Sequence, residues 1–114
     1  MITSLSENEV VIVCTTERDF EKAKNLSNLL LQNHLAACVN MKDITSSFWW
    51  EGELEDSQEI ELCIKTNKMN LEAILKLIKE NHSYENPELL FWIASTSKRY
   101  YQWVDRVTNY KDDQ

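Results

Sequence analysis

The sequence predicts an α+β fold: a ferredoxin-like βαββαβ subunit with a C-terminal helix and one antiparallel sheet. Three observations carry this. β-Branched or alternating apolar runs recur at four places along the chain. Two segments between them place apolar residues at helical spacing. The order of these six elements is that of the split βαβ plan, which sets both helices on one face of a four-stranded sheet.

Residues 9–15, EVVIVCT, form the first strand. Val11 and Val13 point one way, and Val10, Ile12 and Cys14 the other, so both faces are apolar and both need cover. TERD at 16–19 resembles a capping box with Asp19 in place of Glu. The helix after it runs to about Gln32, with Phe20, Ala23, Leu26 or Ser27, and Leu30 as its buried stripe. Asn33 suits a left-handed C-cap. LAACVNM at 35–41 starts the second strand, a bulge is expected at Lys42-Asp43, and ITSSFWW continues extended to residue 50. Glu51-Gly52 is the strongest turn signal in the chain. QEIELCIKT at 58–66 alternates, with Ile60, Leu62 and Ile64 toward a core. The segments flanking Gly52 therefore make one long hairpin. The second helix begins near Asn67 or Asn70. It shows Leu71, Ile74, Leu75 and Ile78 at i, i+3, i+4 and i+7, and ends near His82 before Pro87. ELLFWIAST at 88–96 is the fourth strand, apolar on both faces. KRYYQWVDRV at 98–107 is a short last helix with Tyr100, Trp103, Val104 and Val107 on one side. One domain over 9–107 is expected, between a flexible N-terminus at 1–8 and a solvated tail at 108–114.

At 114 residues the chain is long enough for a real core, and its apolar fraction of 43% is in the globular range. The net charge of −7 disfavours nucleic acid and anionic membranes, because phosphate contacts depend on Lys and Arg. The longest apolar run, Leu89 to Ala94, is too short to span a bilayer. MITSLSENE has neither the basic start nor the apolar stretch of a secretory signal. Three cysteines without CxxC spacing point to a reducing compartment and a cytoplasmic protein. With a single glycine, no glycine-rich phosphate cradle forms, and neither a nucleophile elbow nor an HExxH pair is present. No organic cofactor and no catalysis are expected.

FWWEGELE at 48–55 raises a packing question. Neighbouring residues on a strand face opposite ways, so Trp49 and Trp50 cannot enter the same core. The last helix is too short to cover the second sheet face, and an apolar face of that size marks an interaction surface. The expectation is a homo-oligomer in which one tryptophan packs at home and the other meets a neighbouring copy.

HSYENPE at 82–88 gathers His82, Tyr84, Glu85 and Glu88 around the only proline. Together with Trp50, the residues Tyr84, Glu85 and Glu88 are candidates for a ligand cleft. The same segment also reads as an ordinary strand entry with a packed tyrosine and solvated acids. An enzyme using His82 and Glu85 as acid and base is the reading with least support. EGELED at 51–56 could attract divalent cations weakly, but a charged, solvated hairpin tip that resists edge-to-edge aggregation is the plainer reading.

LAACVN at 35–40, WWEGELE at 49–55, IKT at 64–66, HSYENPEL at 82–89 and YYQWV at 100–104 occur in an order and spacing that resembles the CutA family of divalent-cation tolerance proteins. The resemblance covers about residues 9–107. It implies a ferredoxin-like subunit in a homotrimer whose long hairpin reaches across subunits. Trp49, Trp50 and Gly52 would then lie at the trimer seam. It further implies divalent-metal or copper binding, with Cys14, Cys38 and His82 as the candidate metal positions. Thiolate and imidazole suit copper or zinc, although their spacing here reveals no site. Packed thiols and a histidine at a helix end are the plainer reading. The alternative function is a small-molecule or protein-binding signalling trimer in which metal is incidental, an analogy of fold alone. Departures from the family pattern fall at turns: Ser83 where proline is usual, Lys42-Asp43 where Pro-Gly is common, and Ser95 to Ser97 where glycine often precedes the last helix. Cys63 lies on the charged face of its strand and is given no role.

Overall fold

The computed structural model describes residues 8–109. In chain order the elements are β1 (Glu9–Glu17), α1 (Phe20–Gln32), β2 (Cys38–Trp50), β3 (Glu53–Thr66), a 3-10 turn (Lys68–Asn70), α2 (Leu71–Asn81), β4 (Leu90–Ser95) and α3 (Lys98–Thr108). The strands form one antiparallel sheet in the order β2-β3-β1-β4. This is the expected ferredoxin-like plan with a C-terminal helix.

The core lies between the sheet and helices α1 and α2. Val11, Val13, Ile60, Leu62 and Ile64 meet Ala23, Leu26, Leu30, Ile74 and Ile78, all buried. These are the alternating strand residues and the helical stripe that the periodicities select. Phe20 departs from that stripe and is 59% exposed. It is the first residue of α1, before the helix has turned its apolar face to the sheet.

Helix boundaries follow capping chemistry. Thr16 is not the cap of α1: it stays in the β1 ladder opposite Glu61. Asp19 caps instead, accepting the Lys22 backbone N–H at 2.8 Å, since a short carboxylate is an excellent N-cap in its own right. Asn33 ends α1 with φ −91°, and the left-handed residue is His34, φ 57°. Asn67 accepts the Asn70 N–H at 3.1 Å and so opens the 3-10 turn that leads into α2. Ser97 caps α3 by accepting the Tyr100 N–H at 3.3 Å.

α3 lies against the other sheet face, touching β1 and β3. Val10 and Val104 are buried there. The helix continues one residue beyond the expected end. Thr108 is buried, donates to the Val104 carbonyl at 2.7 Å and accepts from the Asn67 side-chain amide at 2.8 Å. Thr108 is therefore part of the domain rather than the tail. The Asn8 carbonyl accepts the Thr96 N–H at 2.8 Å, so residue 8 is tied to the fold. The expected lead-in over 1–7 and tail over 110–114 lie outside the described residues.

β2 begins at Cys38, not Leu35, because the N–H groups of Leu35 and Ala36 both bond back to the Leu30 carbonyl. No bulge forms at Lys42-Asp43. The β2–β3 pairing is continuous from Cys38 opposite Lys65 to Trp50 opposite Glu53. Glu51 (φ 50°) and Gly52 (φ 83°) close it as a two-residue turn with both residues left-handed, the geometry that matches strand twist. β3 pairs with β1 only over residues 60–66. Residues 44–50 and 53–59 therefore stand beyond the four-stranded sheet as a two-stranded arm, roughly 20 Å long at about 3.4 Å per residue. The radius of gyration is 15.6 Å, against roughly 13 Å for a compact domain of this length.

The arm answers the tryptophan question differently from the expectation. Trp49 is 71% exposed and Trp50 59%. Neither packs at home, because both lie on the part of the hairpin that has left the sheet. Phe48 and Leu54 are exposed beside them, and Leu90, Phe91, Trp92 and Ile93 are exposed along the edge strand β4.

Candidate functional site

Segment 82–88 is held against the end of β1. The Glu17 carboxylate is sealed from solvent and accepts two backbone N–H groups, from Arg18 at 2.9 Å and Ser83 at 3.0 Å. A buried carboxylate needs such donors. Proline has no N–H, so the Ser83 departure supplies one of them. The His82 side chain is fully buried, with Nδ1 3.8 Å from Glu17 Oε2. Nδ1 accepts the Tyr84 backbone N–H at 2.9 Å. The ring proton is thereby assigned to Nε2, which donates to the Thr16 carbonyl. Thr15 Oγ1 stands 3.4 Å from the same nitrogen. Both ring nitrogens are engaged, and His82 locks the loop to the strand.

Tyr84 packs on the His82 ring, centroids 5.0 Å apart, and donates its hydroxyl to Glu59 at 2.8 Å. Burial, and then that bond to a carboxylate, push the Tyr84 phenol well above its ordinary value. Glu88 is exposed, yet partial desolvation raises its carboxyl, with Glu61 and Glu59 adding like-charge repulsion. Tyr84, Glu59, Glu61 and Glu88 thus make an acidic corner beside β3. Glu85 is exposed and stands apart. Trp50 is also remote, because Glu53 opposite it lies six residues, or about 20 Å, along β3 from Glu59. One chain therefore brings Tyr84 and Glu88 together but not the full expected cleft.

The three candidate metal positions are likewise separated. Cys14 and Cys38 share a sheet face by register, but β3 runs between their strands and they stand one pleat out of line. Strands about 4.8 Å apart put them roughly 12 Å from each other. His82 is at the opposite face, among Thr15, Glu17 and Tyr84. Among the described residues no three His, Cys, Asp or Glu side chains are grouped to hold one ion. Cys14, Cys38 and His82 accordingly do not fit a single ion within one chain.

A CutA1 divalent ion tolerance family model matches residues 11–107. The chain belongs to the CutA1 family. A divalent-cation tolerance protein CutA of Yersinia pestis is 38% identical over 100 residues, covering 86% of this chain and 83% of that protein. Solved CutA structures superpose closely. The Archaeoglobus fulgidus protein, described as a periplasmic divalent cation tolerance protein, gives a TM-score of 0.84 at 31% identity, covering 87% of this chain and 98% of its own. CutA1 from Oryza sativa gives 0.83 at 32% identity, with 87% and 93% covered. Within the CutA1 fold, one pair of residues went unseen in the sequence. Cys14 lies directly opposite Cys63 across the β1–β3 ladder. The Cys63 thiol stands near enough to act on Cys14. Their separation of 49 positions hides the pair until strand register is known.

Proposed function

We propose that this CutA1 chain acts without catalysis, as a homotrimeric protein of divalent-metal tolerance that binds copper or a similar cation. The observation that carries the reading is family membership across nearly the whole domain, in a family named for divalent-cation tolerance. The trimer follows from the family resemblance, and the bare arm supports it. A two-stranded ribbon is marginal alone in water. One bearing Phe48, Trp49, Trp50 and Leu54 exposed needs a partner surface. The unpaired edge of β4, with Leu90 to Ile93 exposed, offers one. Cys14, Cys38 and His82 carry the donors that suit copper. Cys14 and Cys38, apart in one chain, imply a site shared between copies, and His82 joins it only by giving up its bonds to Thr16 and Tyr84. Three cysteines without a disulfide among the described residues fit a reducing, cytoplasmic setting.

Calorimetric titration of the assembled protein with Cu(II) tests this, on wild type, Cys14→Ser, Cys38→Ser and His82→Ala, with oligomer mass measured in parallel. Stoichiometric binding to a trimer, weakened at least tenfold by a cysteine or histidine variant, is expected. Weak binding unchanged in all variants, or a monomer, rejects the proposal. The acidic corner favours a second reading, a cleft for a small ligand at Tyr84 and Glu88 completed by Trp50 of a neighbouring copy. Stabilisation by a metabolite rather than by metal in a thermal-shift screen, lost in Glu88→Gln, distinguishes it.

A further inference from the structure

We propose that Cys14 and Cys63 are a reversible modification site, a dithiol that a small organic disulfide such as oxidised glutathione converts into a cross-strand disulfide joining β1 to β3. The bond needs neither a bound cation nor a neighbouring copy, so it stands apart from the proposed function.

Backbone hydrogen bonding fixes how closely the two residues face each other. Facing pairs in an antiparallel ladder alternate. Some exchange N–H···O bonds, with Cα atoms about 5.5 Å apart; the others do not, and stand about 4.5 Å apart with their side chains closer. The Asn8 carbonyl accepts the Thr96 N–H at 2.8 Å, which sets the phase of that alternation along β1 and β4. Cys14 lies an even step further along β1, opposite Leu90, so its N–H and C=O point to β4. Lys65 directs its carbonyl toward β2, where it accepts the Ala37 N–H at 2.8 Å. Cys63, two residues earlier on β3 and opposite Asn40, points its N–H and C=O the same way. Neither cysteine has backbone groups left for the other. Cys14 and Cys63 are therefore a non-hydrogen-bonded pair, the closer kind. Their Cα separation of about 4.5 Å falls within the range of about 4.4–6.8 Å that disulfides span.

No other pairing of the three cysteines closes. Cys38 faces Lys65 and so lies diagonal to Cys63, at roughly 7–8 Å. Beyond about 7 Å two cysteines cannot be joined without moving the backbone. From Cys14, Cys38 is separated by the whole of β3. Cys14 and Cys63 are half-buried rather than sealed, which leaves them open to a small disulfide. One protein thiolate attacks oxidised glutathione, forming a mixed disulfide and releasing one glutathione. The facing thiol, held in place by the ladder, attacks the protein sulfur of that intermediate, forms the Cys14–Cys63 bond and expels the second glutathione. Two protein thiols are oxidised, one glutathione disulfide is reduced, and the two protons end on the released thiols. In a reducing compartment such a bond is transient. While it lasts, the Cys14 thiol is withheld from any other partner.

The test equilibrates the full chain, free of metal, with reduced and oxidised glutathione at a series of ratios. Acid quenching, alkylation of the remaining thiols in denaturant and peptide mapping by mass spectrometry follow. In the oxidising mixtures only Cys38 should be alkylated, and a peptide linking Cys14 to Cys63 should appear that dithiothreitol returns to two thiols. Cys38→Ser should oxidise over the same ratios as wild type. Cys63→Ser and Cys63→Val, each checked for folding by circular dichroism, should give no cross-linked peptide. Alkylation of all three cysteines at every ratio, glutathione adducts that persist without a cross-link, or a cross-link through Cys38 overturns the proposal. So does a bond formed between chains, seen as a covalent dimer on a non-reducing gel. The wild-type peptide map decides the matter by itself, whether or not a Cys63 variant folds.

Discussion

Trp50→Ala is expected to weaken self-association by several orders of magnitude while leaving the subunit folded. A tryptophan offers up to about 250 Å² for burial. Trp50 is 59% exposed, which leaves roughly 150 Å² for a partner. At about 25 cal/mol per Å² this is nearly 4 kcal/mol, an upper bound. Alanine retains part of that contact, so the loss is about 2–3 kcal/mol at each seat. A closed trimer has three equivalent seats. Their combined loss is roughly 6–9 kcal/mol, or about four to six decades in the overall association constant. The subunit itself loses little, because the indole touches no core residue cluster. Sedimentation velocity from nanomolar to micromolar concentration measures the shift, and circular dichroism confirms that the fold persists. Acrylamide quenching of wild type adds an independent readout, since seated indoles are shielded. The reasoning fails if wild type sediments as a folded monomer at micromolar concentration with freely quenched tryptophans. It fails equally if Trp50→Ala dissociates at the same concentration as wild type.

Ser83→Pro removes one of the two N–H groups on the buried Glu17 carboxylate and should cost about 1–3 kcal/mol in urea unfolding; an unchanged midpoint contradicts the role given to that bond. Tyr84→Phe deletes the hydrogen bond to Glu59 and should cost about 1–2 kcal/mol by the same assay, with most of the loss absent in a Glu59→Leu background. Cys14 should react slowly with iodoacetamide up to pH 9 and accelerate toward a midpoint near pH 11. Its folded value lies above the ordinary thiol value of 9.0, so the stability it contributes is whole below pH 9 and is lost as pH rises toward about 11. A reactivity midpoint near 8.5–9 refutes the proposed environment. For Glu88, raised by partial desolvation and by Glu61 and Glu59, the same sign holds: its contribution is lost as pH rises through its folded value. Glu88→Gln should therefore raise the thermal midpoint at pH 7 and change it least in acid, as read by calorimetry.

Period and spacing alone determined the element order, the core and the hairpin. Ile60, Leu62 and Ile64 are buried as their alternation requires, and Ile74 and Ile78 as their helical spacing requires, because side-chain direction is fixed locally by the backbone. The same locality made Gly52 legible as a turn. The capping-box reading of TERD put Asp19 three residues into the helix, whereas Asp19 is itself the cap and Thr16 stays in β1. Tertiary structure decided what depends on register and reach. It sealed His82 between Thr16 and Tyr84 instead of offering it outward, and set Cys14 apart from Cys38 but against Cys63. It also carried Trp49 and Trp50 beyond the end of β1, where neither finds cover. A one-residue slip between strands reverses every facing pair, and nothing within either strand records which partner stands across from it.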